Sequence, residues 1–249
     1  MKVLIITVAG MSTRFSRSLK KEALKCVYYQ TDYKQSILYR LIRSDDSFDK
    51  IVVVGGYKYD DLTNFIETHL SDLKDKIDVV FNDKYSEYGS GYSLYFGLKK
   101  ALEYRPNEIV FAEGDLCVSA EEFKRFCALD TDAVSYNFVP IQADKAVIFY
   151  LDEKGGVKYL YDTAHCALKI DEPFTAIYNS AQIWKMSDFN RAKNAFDALD
   201  EKSWQGTNLV YIQRYFSTCK NNEYGLFGFK RWFNCNTVDD FFGSVEEEK

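Results

Sequence analysis

Proline is almost missing from this sequence, with three in 249 residues, and no low-complexity tract interrupts it. No Pro/Gly/Ser-rich stretch offers a linker between separately folded units. Histidine is scarcer still, His69 and His165 alone, and the six cysteines are scattered without a CxxC spacing. A zinc site has too few ligands to draw on. No stretch reaches the roughly 20 apolar residues of a membrane helix, so no membrane partner is expected. The opening apolar run, about eight residues, lacks a convincing cleavage site. The chain is therefore expected in the cytoplasm, with reduced and mostly buried thiols. A net charge of −5 with interspersed signs gives no basic face, which argues against nucleic acid as a partner. The sequence offers no reading of oligomeric state.

What is present is alternation. Hydrophobic residues make up 47% of the chain, enough to fill the core of one large α/β domain. Met1–Ala9, Lys50–Val54, Asp78–Phe81 and Glu108–Ala112 read as short strands rich in β-branched and aliphatic residues. Helical spacing separates them: from Ile37, over Asp60–Leu73, over Ser90–Tyr104, and from Ser119, where Ser119 and Glu122 form a capping box. Four β-α units in succession predict a mostly parallel sheet with helices on both faces. The second half changes character. Ala133–Phe138, Ala146–Tyr150, Val157–Leu160 and Thr175–Trp184 read as strands, with a hairpin through Asp152–Gly156. Helices near Ser187–Ala198 and Thr207–Ser217 precede a strand over Phe227–Phe233 and a helix from Thr237. The expected fold class is α/β: a mostly parallel, Rossmann-like three-layer sandwich with a mixed sheet extension, one domain over residues 1–249.

Four segments carry candidate chemistry. The first strand runs into Ala9, Gly10, Met11, Ser12, Thr13 and Arg14, with Lys25 eleven positions beyond Arg14. In an open α/β sheet the crevice at the strands' carboxyl ends receives nucleotides, and small residues let backbone N–H groups form an anion nest. Arg14 and Lys25 supply charge for a triphosphate. The same residues also suit an ordinary β-α turn, and the loop has neither P-loop nor dinucleotide-binding glycine spacing. Glu113-Gly114-Asp115 ends a buried strand, where a carboxylate is costly unless it meets solvent or a cation. Asp115 suits Mg²⁺, or a turn. Gly89, Ser90 and Ser93 open a helix, where they suit either a base edge or a plain N-terminus. Asn234 and Asn236 precede Thr237 and Asp240, which form a helix cap. Either asparagine could offer an amide oxygen to a metal.

These segments, in this order, resemble the nucleotidyltransferases that activate phosphorylated small molecules. That family includes sugar-1-phosphate nucleotidylyltransferases and bacterial phosphocholine cytidylyltransferase-like enzymes. Its strand-A-G-x-G-x-R-F motif is similar to Ala9–Phe15 and its lysine to Lys25. Its metal aspartate matches Asp115, and its late (Asp/Asn)-Thr-x-x-Asp motif resembles Phe233–Asp240. Tyr88–Leu94 looks closer to the cytidylyltransferase branch, which favours CTP. The chain departs at three places: Ser12 replaces a glycine, Leu24 stands where a proline usually precedes the lysine, and Asn236 replaces a carboxylate. Lys20 and Lys21 are alternatives to Lys25. The resemblance implies Arg14 and Lys25 as catalytic residues and Asp115 with Asn236 as ligands of a Mg²⁺ cofactor. Ala9, Gly10, Met11, Ser12, Thr13, Gly89, Ser90 and Ser93 would bind the nucleoside triphosphate. Residues 1–130 would be the nucleotide-binding half, and 131–249 the half that binds a phosphorylated small-molecule acceptor through Glu172, Tyr178 and Asn179. The reaction implied is displacement at the α-phosphorus with pyrophosphate leaving.

The acceptor is the open point. Tyr150, Tyr159, Tyr161, Tyr178 and Trp184 could cage a quaternary ammonium such as that of phosphocholine, or fill the core and pair across strands. Sugar phosphates and phosphonates are the other acceptor classes. Two further readings stand beside the transferase: a nucleotide-sugar glycosyltransferase, against which the triphosphate-type loop counts, and a non-catalytic nucleotide-binding protein.

Overall fold

The structure is a computed structural model that describes residues 1–142, 146–160, 168–219 and 223–246. Tyr161, His165 and Cys166 lie outside the described residues. In chain order the strands are β1 (Lys2–Thr7), β2 (Lys50–Gly55), β3 (Ile77–Phe81), β4 (Glu108–Glu113), β5 (Leu116–Val118), β6 (Asp132–Asn137), β7 (Ile148–Asp152), β8 (Val157–Tyr159), β9 (Phe174–Met186), β10 (Tyr224–Phe229) and β11 (Trp232–Asn234). The helices are α1 (Thr13–Leu19), α2 (Ile37–Arg43), α3 (Tyr59–His69), α4 (Ser90–Glu103), α5 (Ala120–Cys127), α6 (Phe189–Asp197), α7 (Glu201–Trp204), α8 (Leu209–Phe216) and α9 (Val238–Glu246).

The main sheet runs β10-β6-β9-β4-β1-β2-β3. β3, β2, β1 and β4 are parallel, as the four β-α units require. β9 then runs antiparallel to both β4 and β6, while β6 and β10 are parallel to each other. The first half of β9 leaves the main sheet to pair with β7, and β7 with β8. This is the expected mixed extension, built on one long bent strand.

Alternation within each strand makes three layers. Leu4 and Ile6 of β1 face a core with Leu38 and Leu41 of α2, Phe65 of α3, Phe123 of α5 and Phe241 of α9. Val3 and Ile5 face the opposite core, with Leu94 and Leu98 of α4, Ala192 of α6 and Ile212 of α8. Of the rings proposed as a cage, Tyr159 and Trp184 belong to the second of these cores and Tyr178 packs against it. Trp184 stacks on Phe111 and donates its indole N–H to the Tyr159 hydroxyl at 2.6 Å. Tyr159 is 5% exposed and Trp184 0%, so these two fill the core, while Tyr150, also buried, meets Phe174 edge-on.

Two local expectations are corrected. The strand over Phe227–Phe233 is two strands, broken at Lys230 and Arg231. Glu122 makes that break: its carboxylate accepts from the backbone N–H of Lys230 at 3.2 Å and of Arg231 at 3.1 Å. It is therefore engaged outside the capping box. Ser119 still caps α5 by accepting from the Glu122 N–H, but the reciprocal bond is not among those formed. The break lets β11 turn away and form a separate antiparallel ribbon with β5.

Candidate active site

The carboxyl ends of β1 and β4 open into a cavity of about 450 Å³, within the range of small-molecule sites. Ala9, Gly10, Met11, Ser12, Thr13, Arg14 and Lys25 wall one side. Gly89, Ser90, Ser93, Asp115 and Asn236 line the remainder. The loop after β1 is open: a Cβ built on Gly10 would meet nothing within 4 Å, so the backbone is free for close approach by a ligand.

Arg14 follows the first residue of α1, and Phe15 locks that helix down. Its ring is fully buried, edge-on to Tyr28 at 5.2 Å and to Phe241 of α9 at 6.4 Å. Burial on this scale contributes ~2 kcal/mol. The Arg14 guanidinium then reaches across to the Asn236 Oδ1 at 2.8 Å. The Lys25 ammonium is paired instead with Asp115, its Nζ 2.7 Å from the Asp115 Oδ2.

The β5–β11 ribbon explains how residues so far apart in sequence meet. Asn234 pairs with Leu116, and the next N–H, that of Cys235, donates to the Asp115 carbonyl at 2.8 Å. Asn236 is delivered beside Asp115 and fixed by its own N–H donating to Asp240, at 3.1 Å. Thr237 and Asp240 complete a reciprocal cap. Asn234 stays behind the wall and accepts from the Asn236 Nδ2 at 2.8 Å, so Asn236 is the one that faces the cavity.

Lys20 and Lys21 are exposed and do not line the cavity. Lys25 is held in place without the usual proline. Leu24 is buried in an extended conformation, and the Lys25 N–H donates to the Ser12 Oγ at 3.2 Å. Ser12 itself sits at φ 52°, in the left-handed region where glycine is at ease. This accounts physically for a glycine at that place in the motif. Removing the hydroxyl but keeping the strain is expected to leave Ser12→Ala less stable than Ser12→Gly by ~1 kcal/mol. Urea unfolding of the two variants checks this, and equal stabilities would contradict it.

Glu113, Tyr85 and Tyr88 also line the cavity. Glu113 had a sequence signal, the cost of a carboxylate ending a buried strand; Tyr85 had none. Burial, reinforced by the neighbouring Asp115 carboxylate, pushes the Glu113 acid up to about 7, against the opposing hydrogen bond from Asn208. That bond, Asn208 Nδ2 to Glu113 Oε1, is 2.7 Å long.

The small residues at 89–91 have a packing reason. The Gly89 and Gly91 N–H groups donate to the carbonyls of Gln205 and Gly206, at 2.8 and 2.9 Å, and are not free to read a base. A Cβ on Gly89 would fall 2.3 Å from the Gly206 carbonyl oxygen. Ser90 accepts from the Asn208 N–H, and Ser93 accepts from the buried Asn82 amide at 3.0 Å. Both hydroxyls keep a proton to donate.

The residues expected to contact the acceptor are not brought to this cavity. Glu172 accepts from the Tyr150 hydroxyl, Tyr178 stacks on Phe149, and Asn179 donates to the Val139 carbonyl.

The donor set suits a hard cation. The Asp115 Oδ1 is buried and has no hydrogen-bond partner among the described residues. The Asn236 Oδ1 has a second lone pair beyond Arg14. No cluster of three or more His, Cys, Asp or Glu that could hold a metal occurs among the described residues. Such a sparse set is what Mg²⁺ uses when phosphates and waters complete its shell. Among the described residues no helix is long and apolar enough to cross a membrane.

Solved structures share this architecture. An inositol-1-phosphate CTP transferase from T. maritima superposes with a TM-score of 0.68 at 20% identity, covering 99% of this chain and 97% of its own. A CTP:phosphocholine cytidylyltransferase from Streptococcus pneumoniae gives 0.65 at 14%, covering 100% and 99%. A putative glucose-1-phosphate thymidylyltransferase from Bacillus anthracis gives 0.63 at 14%, covering 99% and 95%. At these identities the likeness is one of fold, the nucleotidyltransferase fold. No curated protein sequence matches this one. The model of a family described as a domain of unknown function, DUF6564, matches residues 21–248, and the chain belongs to that family.

Proposed function

We propose that this protein is a nucleotidyltransferase, joining a nucleoside triphosphate, CTP by preference, to a phosphorylated small molecule. One observation carries the reading: Arg14, Lys25 and Asp115 line a single cavity at the carboxyl ends of the parallel strands. An oxygen of the acceptor's phosphate attacks the α-phosphorus. The bond from that phosphorus to the α-β bridging oxygen breaks, and pyrophosphate leaves with the electron pair. The attacking oxygen is already anionic, so no general base is needed, and catalysis is positioning and charge neutralisation. Arg14 holds the β- and γ-phosphates, and the Gly10–Thr13 backbone follows the triphosphate. Lys25 meets the α-phosphate and the charge that develops there. Asp115 and Asn236 would hold Mg²⁺, which when bound adds positive charge against the phosphate oxygens. Residues 131–249 form the side from which the acceptor enters.

Pyrophosphate release from the four triphosphates, each with Mg²⁺ and a panel of phosphorylated acceptors, tests this. Release is expected only when a triphosphate and an acceptor are both present. Triphosphate binding without release across the panel would make the protein a binding protein. Turnover of a nucleotide sugar without pyrophosphate would make it a glycosyltransferase.

A further inference from the structure

The ribbon that carries Asp115 and Asn236 also brings two thiols together. Cys117 lies in β5 opposite Phe233 of β11, and Cys235 follows Phe233 two positions on. Alternation puts both side chains on one face of the ribbon, as diagonal neighbours. Their sulfurs are 3.3 Å apart, one thiol donating to the other, although 118 positions separate them in the chain. Both are buried, Cys117 at 4% exposure and Cys235 at 0%.

Buried cysteines commonly serve as small apolar core residues. This pair has polar company instead. Arg40 of α2 donates through Nη2 to the Cys117 Sγ at 2.7 Å and to the Ser244 Oγ of α9 at 2.8 Å. Its Nη1 donates to the Ser244 carbonyl at 3.3 Å. The guanidinium thus fixes Cys117 against two helices. Cys235 is fixed from the other side, by its N–H bond to the Asp115 carbonyl at 2.8 Å. Two thiols held this close have little distance to cover: bonded sulfurs stand about 2.05 Å apart.

We propose that Cys117 and Cys235 are a modification site, a dithiol that peroxide closes to a disulfide, and that closure moves Asn236 relative to Asp115 and weakens triphosphate binding. The second half rests on the nucleotidyltransferase reading. One sulfur attacks a peroxide oxygen, the O–O bond breaks, and water leaves behind a sulfenic acid. The other sulfur then attacks the first. The S–S bond forms, the S–O bond breaks, and a second water leaves. The pair loses two hydrogens and two electrons, and peroxide takes both. Burial of both sulfurs excludes bulky disulfide oxidants and favours a small neutral one. Because the partners are diagonal and not opposite, drawing them together slides one strand along the other. Asn236 is the next residue after Cys235, and its Oδ1 holds the Arg14 guanidinium at 2.8 Å. The slide therefore reaches both the proposed metal ligands and the arginine.

Mass spectrometry and calorimetry on the full chain, before and after hydrogen peroxide, test this, with a non-hydrolysable CTP analogue and Mg²⁺ as the binding probe. Oxidised wild type is expected to lose about 2 Da, the two hydrogens of a disulfide, and to yield a peptide joining Cys117 to Cys235. Its affinity for the analogue is expected to fall by at least ~10-fold, the scale of disturbing the support of a metal ligand, and to return with dithiothreitol. Cys235→Ser should bind the analogue like reduced wild type and keep that affinity under peroxide. Cys235→Ala carries the same readout if the serine variant does not fold. Both thiols left unbridged by peroxide, a bridge that leaves affinity unchanged, or equal loss of affinity in Cys235→Ser overturns the proposal while nucleotide binding stands. Failure of reduced wild type to bind the analogue overturns the transferase reading and the regulatory half with it, and the disulfide is still scored by mass.

Discussion

Lys25→Ala is expected to lower kcat by at least ~10²-fold, the scale of losing one contact made to developing charge in a transition state. Asp115→Ala should do the same by a different route. Lys25 Nζ and Asp115 Oδ2 are 2.7 Å apart, with side chains 19% and 20% exposed. Each therefore fixes the other at the cavity wall before any ligand arrives. Removing the carboxylate frees the ammonium to wander and removes the acid whose neighbour across the ribbon is Asn236. Removing the ammonium leaves Asp115 facing the triphosphate as an unpaired negative charge. Breaking a pair of intermediate burial should cost about 1–2 kcal/mol of stability, between the surface and buried limits. That leaves a folded protein, so the lost turnover will be chemical. Lys25→Arg should not rescue, because a planar fork does not replace a compact point charge. Pyrophosphate release by variants shown to be folded by circular dichroism checks this, and wild-type rates would remove both residues from the mechanism.

Gly89→Ala is expected to destabilise the protein by about 2–3 kcal/mol, the range of overpacking where backbone must move. The obstacle is backbone, not a side chain that can swing away: the Gly206 carbonyl oxygen would lie 2.3 Å from the new Cβ, and its carbon 2.9 Å. The same contact seats α4 on the segment after α7, through the Gly89 and Gly91 N–H bonds to Gln205 and Gly206. The Ser90 bond to Asn208 fastens the seat further, and Asn208 in turn holds Glu113. Urea unfolding without nucleotide is the decisive measurement. If Gly89 instead serves close approach of a base, stability will be unchanged and only nucleotide affinity will fall.

The contrast between these residues shows what can be read from a sequence. The parallel half was legible because β1, β2 and β4 are apolar on both faces and each is followed by a helical period. Asp115 stood out because a carboxylate just past a buried strand needs a reason, and Arg14 and Lys25 because they follow the small-residue loop after β1. The β5–β11 ribbon was not. Each strand has three residues, too short for a periodic signal, and the break that frees β11 depends on Glu122, distant in sequence. Nor was the left-handed turn of the backbone at Gln182 inside β9, which leaves no mark in composition. The glycines at 89 and 91 were conspicuous, but their cause lay in a segment more than a hundred residues later that only the fold brings near. That the residues expected to contact the acceptor lie away from this cavity has a related reason. Glu172, Tyr178 and Asn179 lie on or just before β9, but that strand is long and bent, and its first half turns toward β7.

A crystal structure with CTP and Mg²⁺ tests the account most directly. The triphosphate should lie along the Gly10–Thr13 backbone, with the Arg14 guanidinium on its outer phosphates, the Lys25 ammonium on the α-phosphate and Asp115 facing the cation. A nucleotide bound elsewhere, or a triphosphate touching none of these three side chains, would contradict it.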